Sequence, residues 1–369
     1  MKSAIDAILK GTGVTLNGPN PFDIQVVNDQ LYARILTQGT LGFGEAYMDG
    51  WWECDAIDEM IAKLLRADVA RHLRPSIGLV ASTLKARLWN TQNKQGALKV
   101  GRTHYDIGNN LYRAMLDTRL TYTCGYWKTA QTLDEAQEDK LDLVCKKIGL
   151  QPGQHVLDIG CGWGSFAKFA AEKYGARVTG ITISQEQLAL GKELCAGLPV
   201  ELRFQDYRDV TGQFDHIVSL GMFEHVGYKN YATYFAHVKR LLKPGGLFLL
   251  HTIGGIRSVR HTDPWIEKYI FPNSMLPSVQ QIAAAAERQK FVMEDWHNFS
   301  ADYDKTLMAW HANVEEQWET LKDQYDERFR RMWNYYILSC AGSFRARQNQ
   351  LWQIVFSPNG VPEGYNSVR

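Results

Sequence analysis

The spacing of apolar residues along the chain changes character at residue 154. From there to residue 357, short apolar runs alternate with segments of helical periodicity, a pattern typical of repeated βα units. The predicted strands lie at residues 155–160, 177–182, 201–206, 214–221, 246–253, 291–296 and 351–357. The pattern therefore predicts an α/β fold built on a seven-stranded sheet.

The spacing of apolar residues before this sheet predicts a smaller, mainly helical domain. Residues 22–28 favour a strand, and Asp55 is placed to cap a helix whose apolar residues recur at helical spacing. Residues 75–90 predict an amphipathic helix with basic residues outside its apolar stripe. This helix either packs on its own domain or lies at a lipid surface.

A polar, basic and glycine-containing stretch follows this helix and is typical of a linker. We therefore predict an N-terminal domain over residues 1–95, a linker over 96–103 and a second domain over 104–369.

The charges are balanced overall but not locally. Lysine and arginine number 41 against 40 acidic residues, which disfavours a nucleic-acid-binding protein. Residues 63–102, however, contain nine basic residues and one acidic residue, so this block carries a net charge of +8 (9 − 1). Such a block predicts an anionic partner or a counter-charged protein face.

The cysteines and the apolar runs limit the location of the chain. The 6 cysteines include no C-x-x-C pair, which disfavours both a zinc site and a disulfide scaffold and favours a reducing cytoplasm. The first residues lack the uninterrupted apolar run of a signal peptide, and we find no apolar run long enough to span a bilayer. We therefore expect a cytoplasmic protein whose membrane contact is peripheral, with no metal.

The strongest chemical signal is the segment VLDIGCGWG at residues 156–164. Asp158 ends the strand, and Gly160, Gly162 and Gly164 then alternate at the turn into a helix, where a ligand can approach the bare backbone. The spacing is not the dinucleotide pattern, and the acidic residue would suit a cation rather than a pyrophosphate. The segment resembles motif I of the class I S-adenosylmethionine-dependent methyltransferases, which implies a Rossmann-like fold.

Further candidate cofactor residues follow the next two strands. Where this methyltransferase class usually has an acidic residue for the ribose hydroxyls, the chain offers Thr182, Ser184 and Gln187 instead. Asp206, Tyr207 and Arg208 follow the third strand, where the class holds the adenine. The alternative for Asp206 is a loop-capping residue.

Two polar residues lie at a similar height on neighbouring strands, near the edge where open α/β sheets bind ligands. Glu224 follows the fourth strand and His251 lies in the fifth. A strand histidine is often only a core residue, but a nearby carboxylate favours a site. Residues 105–127 are rich in tyrosine and tryptophan among polar residues, so we expect them to line this site, with Tyr122 contacting the cofactor.

The chain as a whole resembles the cyclopropane-fatty-acyl-phospholipid synthase family. The matching segments occur in the same order from about residue 10 to residue 357, at residues 41–55, 104–109, 122–127, 156–164, 222–227, 250–254, 263–273 and 299–304. The resemblance implies transfer of a methylene from S-adenosylmethionine to the cis double bond of an acyl chain in a membrane phospholipid. It also implies a homodimer at the inner face of the cytoplasmic membrane. The smaller N-terminal domain over residues 1–95 would then face the lipid, and residues 104–369 would form the catalytic domain.

The resemblance further implies a bicarbonate ion as the base. The family places this ion on residues that match Cys124, Glu224, His251, the backbone of Ile253 and Tyr303. This reaction needs a base because a proton must leave the added methyl group before the ring closes.

Three other functions stay open: a C-methyltransferase that stops before ring closure, an N-methyltransferase acting on a small amine, and a non-catalytic membrane-docking protein. The complete anion set favours the cyclopropane product, since methyl transfer to an amine needs no base for a carbon-bound proton. The intact glycine turn argues against a non-catalytic protein.

Overall fold

The computed structural model of this chain describes residues 1–69 and 108–369. Its packing divides these residues into two compact units. The first joins residues 1–69 to the later segments 260–272 and 303–349, and the second contains residues 108–259, 273–302 and 350–369. The linker at residues 96–103 and the basic helix at residues 75–90 lie outside the described residues. The predicted division into residues 1–95 and 104–369 therefore stays a prediction.

The first unit is mainly helical. In chain order its elements are α1 (Lys2–Leu9), β1 (Gln25–Val26), α2 (Gln30–Met48), β2 (Trp52–Glu53), α3 (Ile57–Arg66), α9 (Pro264–Tyr269), α11 (Ala301–Leu321) and α12 (Glu327–Arg345). The strand predicted at residues 22–28 is short and pairs antiparallel with β2. The cap predicted at Asp55 is wrong. The chain is still turning there, since the Ala56 N–H bonds to the carbonyl of Pro21, and Ala56 itself is the N-cap of α3.

Segments distant in sequence hold this unit together. A side chain at Gly44 of α2 would lie 2.5 Å from the ring of Trp265, so glycine permits the close approach of α9. Arg345 of α12 forms ion pairs with Asp58 at 2.6 Å and with Asp304 at 2.9 Å. The N-terminal residues therefore share one core with segments that follow residue 259.

The second unit contains the predicted seven-stranded sheet. Its strands are β3 (His155–Ile159), β4 (Arg177–Thr182), β5 (Val200–Phe204), β6 (Phe214–Leu220), β7 (Leu242–Gly255), β8 (Val292–Asn298) and β9 (Asn349–Ser357), in the spatial order β5-β4-β3-β6-β7-β9-β8. The strands from β3 to β7 pair in parallel, and β8 pairs antiparallel with β9. All the strands predicted from the sequence are present.

Helices cover the sheet on two sides. They are α4 (Asn109–Met115), α5 (Leu133–Lys147), α6 (Ser165–Tyr174), α7 (Gln185–Leu194), α8 (Tyr231–Leu241) and α10 (Val279–Arg288). One apolar core includes Phe235 of α8 and Ile282 of α10, and the other includes Leu141 of α5 and Phe166 of α6. Strands covered on both faces need continuous apolar runs, which is why the sequence pattern identified them.

Among the residues that the structure describes, no helix has both the length and the apolar character needed to cross a membrane.

Candidate active site

The glycine-rich turn connects β3 to α6. Gly160, Gly162 and Gly164 all have positive φ, at +85°, +56° and +85°. A side chain at Gly160 would meet Met222 at 2.6 Å and one at Gly164 would meet Cys195 at 2.9 Å, so these two glycines are required by packing. At Gly162, by contrast, a Cβ atom would find no atom of the described residues within 4 Å apart from its chain neighbours. The turn therefore leaves open space beside Gly162, as a ligand cradle requires.

Asp158 lies on β3 directly before this turn and is buried. Its Oδ1 has no hydrogen-bond partner within residues 1–69 and 108–369. Burial raises the pKa of Asp158 to about 7, and the positive charge of Lys140 opposes the rise. An unsatisfied buried carboxylate oxygen is costly, so this atom fits a ligand that brings a donor or a positive charge.

We expect the raised pKa of Asp158 to make the free protein less stable as the pH rises. A carboxyl group whose pKa is raised on folding contributes stability that is complete below its unfolded pKa of 3.8 and is lost as the pH rises through about 7. Asp158→Asn removes this loss. As the pH rises from 5 to about 7, the free energy of unfolding of the variant, measured with urea, should therefore gain on that of the wild type by about 1.4 kcal/mol per pH unit, and the difference should level off above the folded pKa.

Asp215→Asn is the matched control for this measurement. Lys243 and the N–H of His155 hydrogen-bond to Asp215 and hold the pKa of its carboxyl below its usual value, although burial opposes them. Its contribution therefore has the opposite sign: it is present above the unfolded pKa and lost as the pH falls. A difference between Asp158→Asn and the wild type that does not change with pH would contradict the assignment.

The predicted ribose and adenine residues lie after β4 and β5. Thr182 donates a hydrogen bond to Oε1 of Gln187 at 3.1 Å, and both side chains are buried. Asp206 caps the short 3-10 helix Tyr207–Asp209 and forms a bidentate ion pair with Arg208 at 2.8 and 2.9 Å. The capping role is thus observed, and contacts of these residues with a cofactor stay a prediction.

Glu224 follows β6 in the short 3-10 helix Phe223–His225. Its Oε1 accepts a hydrogen bond from the backbone N–H of Ile253 at 2.6 Å, whereas its Oε2 has no partner in the described part of the chain. Burial raises the pKa of Glu224 to about 7, and the hydrogen bond from Ile253 opposes this. Near neutral pH the carboxyl can therefore either donate or accept a hydrogen bond at Oε2.

His251 lies on β7 opposite Leu220, the last residue of β6. The side chain is buried, and its Nδ1 lies 3.3 Å from Nε2 of Gln353 on β9. Its Nε2 has no partner among the described residues. Burial lowers the pKa of His251 well below its usual value, and the charges of Lys140 and Lys147 lower it further. The imidazole is therefore neutral at physiological pH.

The remaining predicted site residues lie in both units. Cys124 is buried in the second unit, and its Sγ contacts the carbonyl oxygen of Gly125 at 3.1 Å. The ring of Tyr122 packs edge-on against Tyr112, with ring centroids 5.2 Å apart. Tyr303 lies in α11 of the first unit, where its ring packs on Phe344 at 4.6 Å. A shared role of Tyr303 with the other anion residues stays a prediction.

Sequence reasoning missed two polar residues in this region, Lys140 and Gln353. Lys140 is buried in α5 and donates a hydrogen bond to the Thr123 hydroxyl at 2.9 Å. Lys140 falls on the same face of α5 as Leu133 and Val144, by helical spacing. A lysine within this apolar stripe is the sequence feature that could have identified it. Gln353 interrupts the apolar run of β9 in the same way.

The described residues offer no metal site. Among them, no group of three or more histidine, cysteine, aspartate or glutamate side chains is arranged to hold a metal ion.

Comparison with known proteins decides the family. A profile of the mycolic acid cyclopropane synthetase family matches residues 92–354. The chain belongs to that family. It is also 53% identical over 362 residues to the cyclopropane-fatty-acyl-phospholipid synthase of Escherichia coli (strain K12), which covers 98% of this chain and 94% of the relative. A probable fatty acid methyltransferase of Pseudomonas putida is 33% identical over 92% of this chain and 88% of its own length.

The fold agrees with this membership. The crystal structure of the mycolic acid cyclopropane synthase CmaA1, complexed with SAH and CTAB, has a TM-score of 0.65 at 32% identity and covers 70% of this chain and 97% of CmaA1. The class I methyltransferase fold predicted from the sequence is therefore confirmed. The expected enzyme class, an S-adenosylmethionine-dependent methyltransferase related to the cyclopropane-fatty-acyl-phospholipid synthases, is confirmed as well.

Proposed function

We propose that this enzyme transfers a methylene group from S-adenosylmethionine to the cis double bond of unsaturated acyl chains in membrane phospholipids, forming cyclopropane fatty acids. The observation that carries the proposal is a pair of buried side chains, one in the 3-10 helix that follows β6 and the other within β7. Glu224 Oε2 and His251 Nε2 both lack a hydrogen-bond partner in the described part of the protein. The identity with the Escherichia coli synthase supports the same substrate class.

The glycine turn and Asp158 fit S-adenosylmethionine as co-substrate. Open space beside Gly162 accommodates the ligand, and the unsatisfied Oδ1 of Asp158 can accept a hydrogen bond from its ammonium group. We assign the methionine portion to this turn, the ribose to Thr182 and Gln187, and the adenine to Asp206, Tyr207 and Arg208. The contact of Tyr122 with the same ligand belongs to this proposal.

The pair Glu224 and His251 fits a small oxyanion. A neutral imidazole with a proton on Nε2 donates one hydrogen bond, and a protonated Glu224 donates a second at Oε2. We propose bicarbonate as this ion, held also by Cys124, the backbone of Ile253 and Tyr303. When bound, it supplies the base that accepts a proton from the added methyl group.

These residues contribute position and polarity rather than strong base chemistry. An isolated alkene is a weak nucleophile without polar handles, so its placement against the sulfonium methyl supplies most of the rate. Attack leaves a positive charge on the acyl chain, which aromatic faces stabilise without reacting with it. We propose Phe299 as one such ring, because its centroid lies 6.0 Å from the imidazole of His251.

Product analysis tests this function. The purified full-length chain is incubated with S-adenosylmethionine and vesicles of a phospholipid with cis-unsaturated chains, and the acyl chains are analysed by mass spectrometry after mild hydrogenation. We expect chains that are heavier by one CH2 group and that resist hydrogenation. Heavier chains that take up hydrogen would instead show a methylated alkene. Unmodified acyl chains on a lipid whose amine headgroup is methylated would show an N-methyltransferase.

We also propose a cytoplasmic homodimer that associates peripherally with the inner face of the cytoplasmic membrane. The support is the family membership together with the basic block at residues 63–102. Most of this block lies outside the described residues, so its support for membrane contact is its net charge of +8 (9 − 1). Basic residues near an anionic lipid surface contribute about 1 kcal/mol each.

Reversing two charges of this block should weaken binding to anionic vesicles. We expect Lys85→Glu with Arg87→Glu to lower the affinity for phosphatidylglycerol vesicles by about tenfold or more in a sedimentation assay, with less difference at high salt. Lys173→Glu with Lys192→Glu makes the same change in net charge at exposed helical positions of the second unit and is the control. Equal binding of the two double variants would contradict a docking role for the basic block.

A further inference from the structure

Gln353 is the one side chain that approaches Nδ1 of His251 in the described structure. It lies on β9, the neighbour of β7 in the sheet, and is fully buried. The distance from its Nε2 to Nδ1 of His251 is 3.3 Å. Its Oε1 has no partner among the residues described. A fully buried amide with one unsatisfied oxygen is costly in an apolar sheet, so its presence calls for a role beyond packing.

We infer that Gln353 is a positioning residue that fixes the tautomer of His251, with the proton on Nε2. An amide N–H can donate to Nδ1 only if that nitrogen carries a lone pair. In a neutral imidazole the single ring proton then lies on the other nitrogen. Nε2 therefore presents an N–H donor at the site, as an oxyanion ligand requires. The last step rests on the proposed function.

A second buried histidine of the same sheet shows the contrast. His216 on β6 accepts a hydrogen bond at Nδ1 from the Leu247 N–H, and its Nε2 is 3.2 Å from Oε1 of Gln154. Both of its ring nitrogens are satisfied by the protein, so it is a core histidine. His251 has the same arrangement at Nδ1 and no protein partner at Nε2 within the described chain. That difference marks Nε2 of His251 as the atom left for a ligand.

The tautomer can be read directly from the full-length protein by 15N NMR with labelled histidine, using His251→Gln to assign the signal. We expect a protonated Nε2 and an unprotonated Nδ1 in the wild type. Gln353→Glu places a carboxylate opposite Nδ1, which must then carry a proton, so the Nδ1 resonance should move to the protonated range. Addition of bicarbonate should shift the Nε2 resonance of the wild type.

Gln350→Glu is the matched control, because it makes the same change on the same strand. Gln350 accepts hydrogen bonds at Oε1 from Asn298 and Ser300, and a glutamate can accept both. This variant should leave the tautomer of His251 unchanged. If Gln353→Glu does not fold, Gln353→Leu removes the donor instead, and the Nδ1 resonance should move to a value between the two tautomers.

Turnover gives an independent readout. In Gln353→Glu, the bicarbonate concentration that gives half-maximal turnover should rise by about tenfold or more, since the site loses a donor and gains charge. A wild-type His251 protonated on Nδ1, or a tautomer that Gln353→Glu does not change, would overturn the inference. The expected tautomer without any effect of bicarbonate on either readout would support the positioning role and contradict the proposed base.

Discussion

Gly162→Ala is expected to weaken S-adenosylmethionine binding by at least about tenfold, or about 1.4 kcal/mol, in calorimetric titration. A Cβ atom at this position meets no atom of residues 1–69 and 108–369 within 4 Å apart from its chain neighbours, so no clash with the described protein is expected and the added methyl group tests the space reserved for a ligand. Gly160 and Gly164 are unsuitable for the same experiment, because their substitution would strain the packing against Met222 and Cys195. Gly162 therefore separates ligand binding from folding.

The backbone strain of this substitution needs its own control, because φ at Gly162 is +56°. Gly149 lies in the turn after α5 and has a φ of +60°, and a Cβ atom there would also find no neighbour within 4 Å in the part of the chain that the structure describes. Alanine in this left-handed region costs about 1–2 kcal/mol at either site. We expect Gly149→Ala to lose similar stability and to keep its affinity. Equal affinity of Gly162→Ala and the wild type would contradict the placement of the co-substrate.

His251→Leu should lower turnover by about 10²-fold or more, because the oxyanion loses the donor that holds it beside the reacting methyl group. S-adenosylmethionine affinity should stay within about twofold, since His251 lies outside the glycine turn. Stripping dissolved carbon dioxide from the buffer should lower the turnover of the wild type, and added bicarbonate should restore it. The variant should stay slow under both conditions.

His216→Leu is the matched control for this effect. It removes a buried histidine from the neighbouring strand, where both ring nitrogens are satisfied by the protein. We expect it to cost stability and to leave turnover near that of the wild type. Nearly normal turnover of His251→Leu, or a wild-type rate that is indifferent to carbonate, would show that a protein side chain is the base.

The sheet could be predicted because its strands are encoded locally. Parallel strands covered on both faces must be apolar along their whole length, and glycine or polar residues must separate them from the helices, so each strand is readable within about ten residues. Motif I is readable for a similar reason. The turn after Asp158 requires positive φ at three positions, which only glycine adopts without strain.

The helix cap was a local prediction that failed. Asp55 has the composition of a cap, but β2 and the hydrogen bond from Ala56 to Pro21 keep the chain turning past it, so α3 begins at Ile57. A cap depends on where the helix starts, and the pairing of β1 with β2 decides that. Tertiary contacts thus moved the boundary although the helix itself was predicted correctly.

The sequence by itself determined the class of the fold, the order of the strands along the chain and the candidate residues Asp158, Glu224 and His251. The tertiary structure alone decided which atoms of those residues lack a hydrogen-bond partner among the described residues, and that Lys140 and Gln353 lie beside them. It also decided that residues 1–69 pack with segments 260–272 and 303–349. The physical reason is distance along the chain. Strand propensity and glycine turns act between near neighbours, whereas burial and hydrogen bonds such as that between residues 251 and 353 arise only when folding joins remote segments.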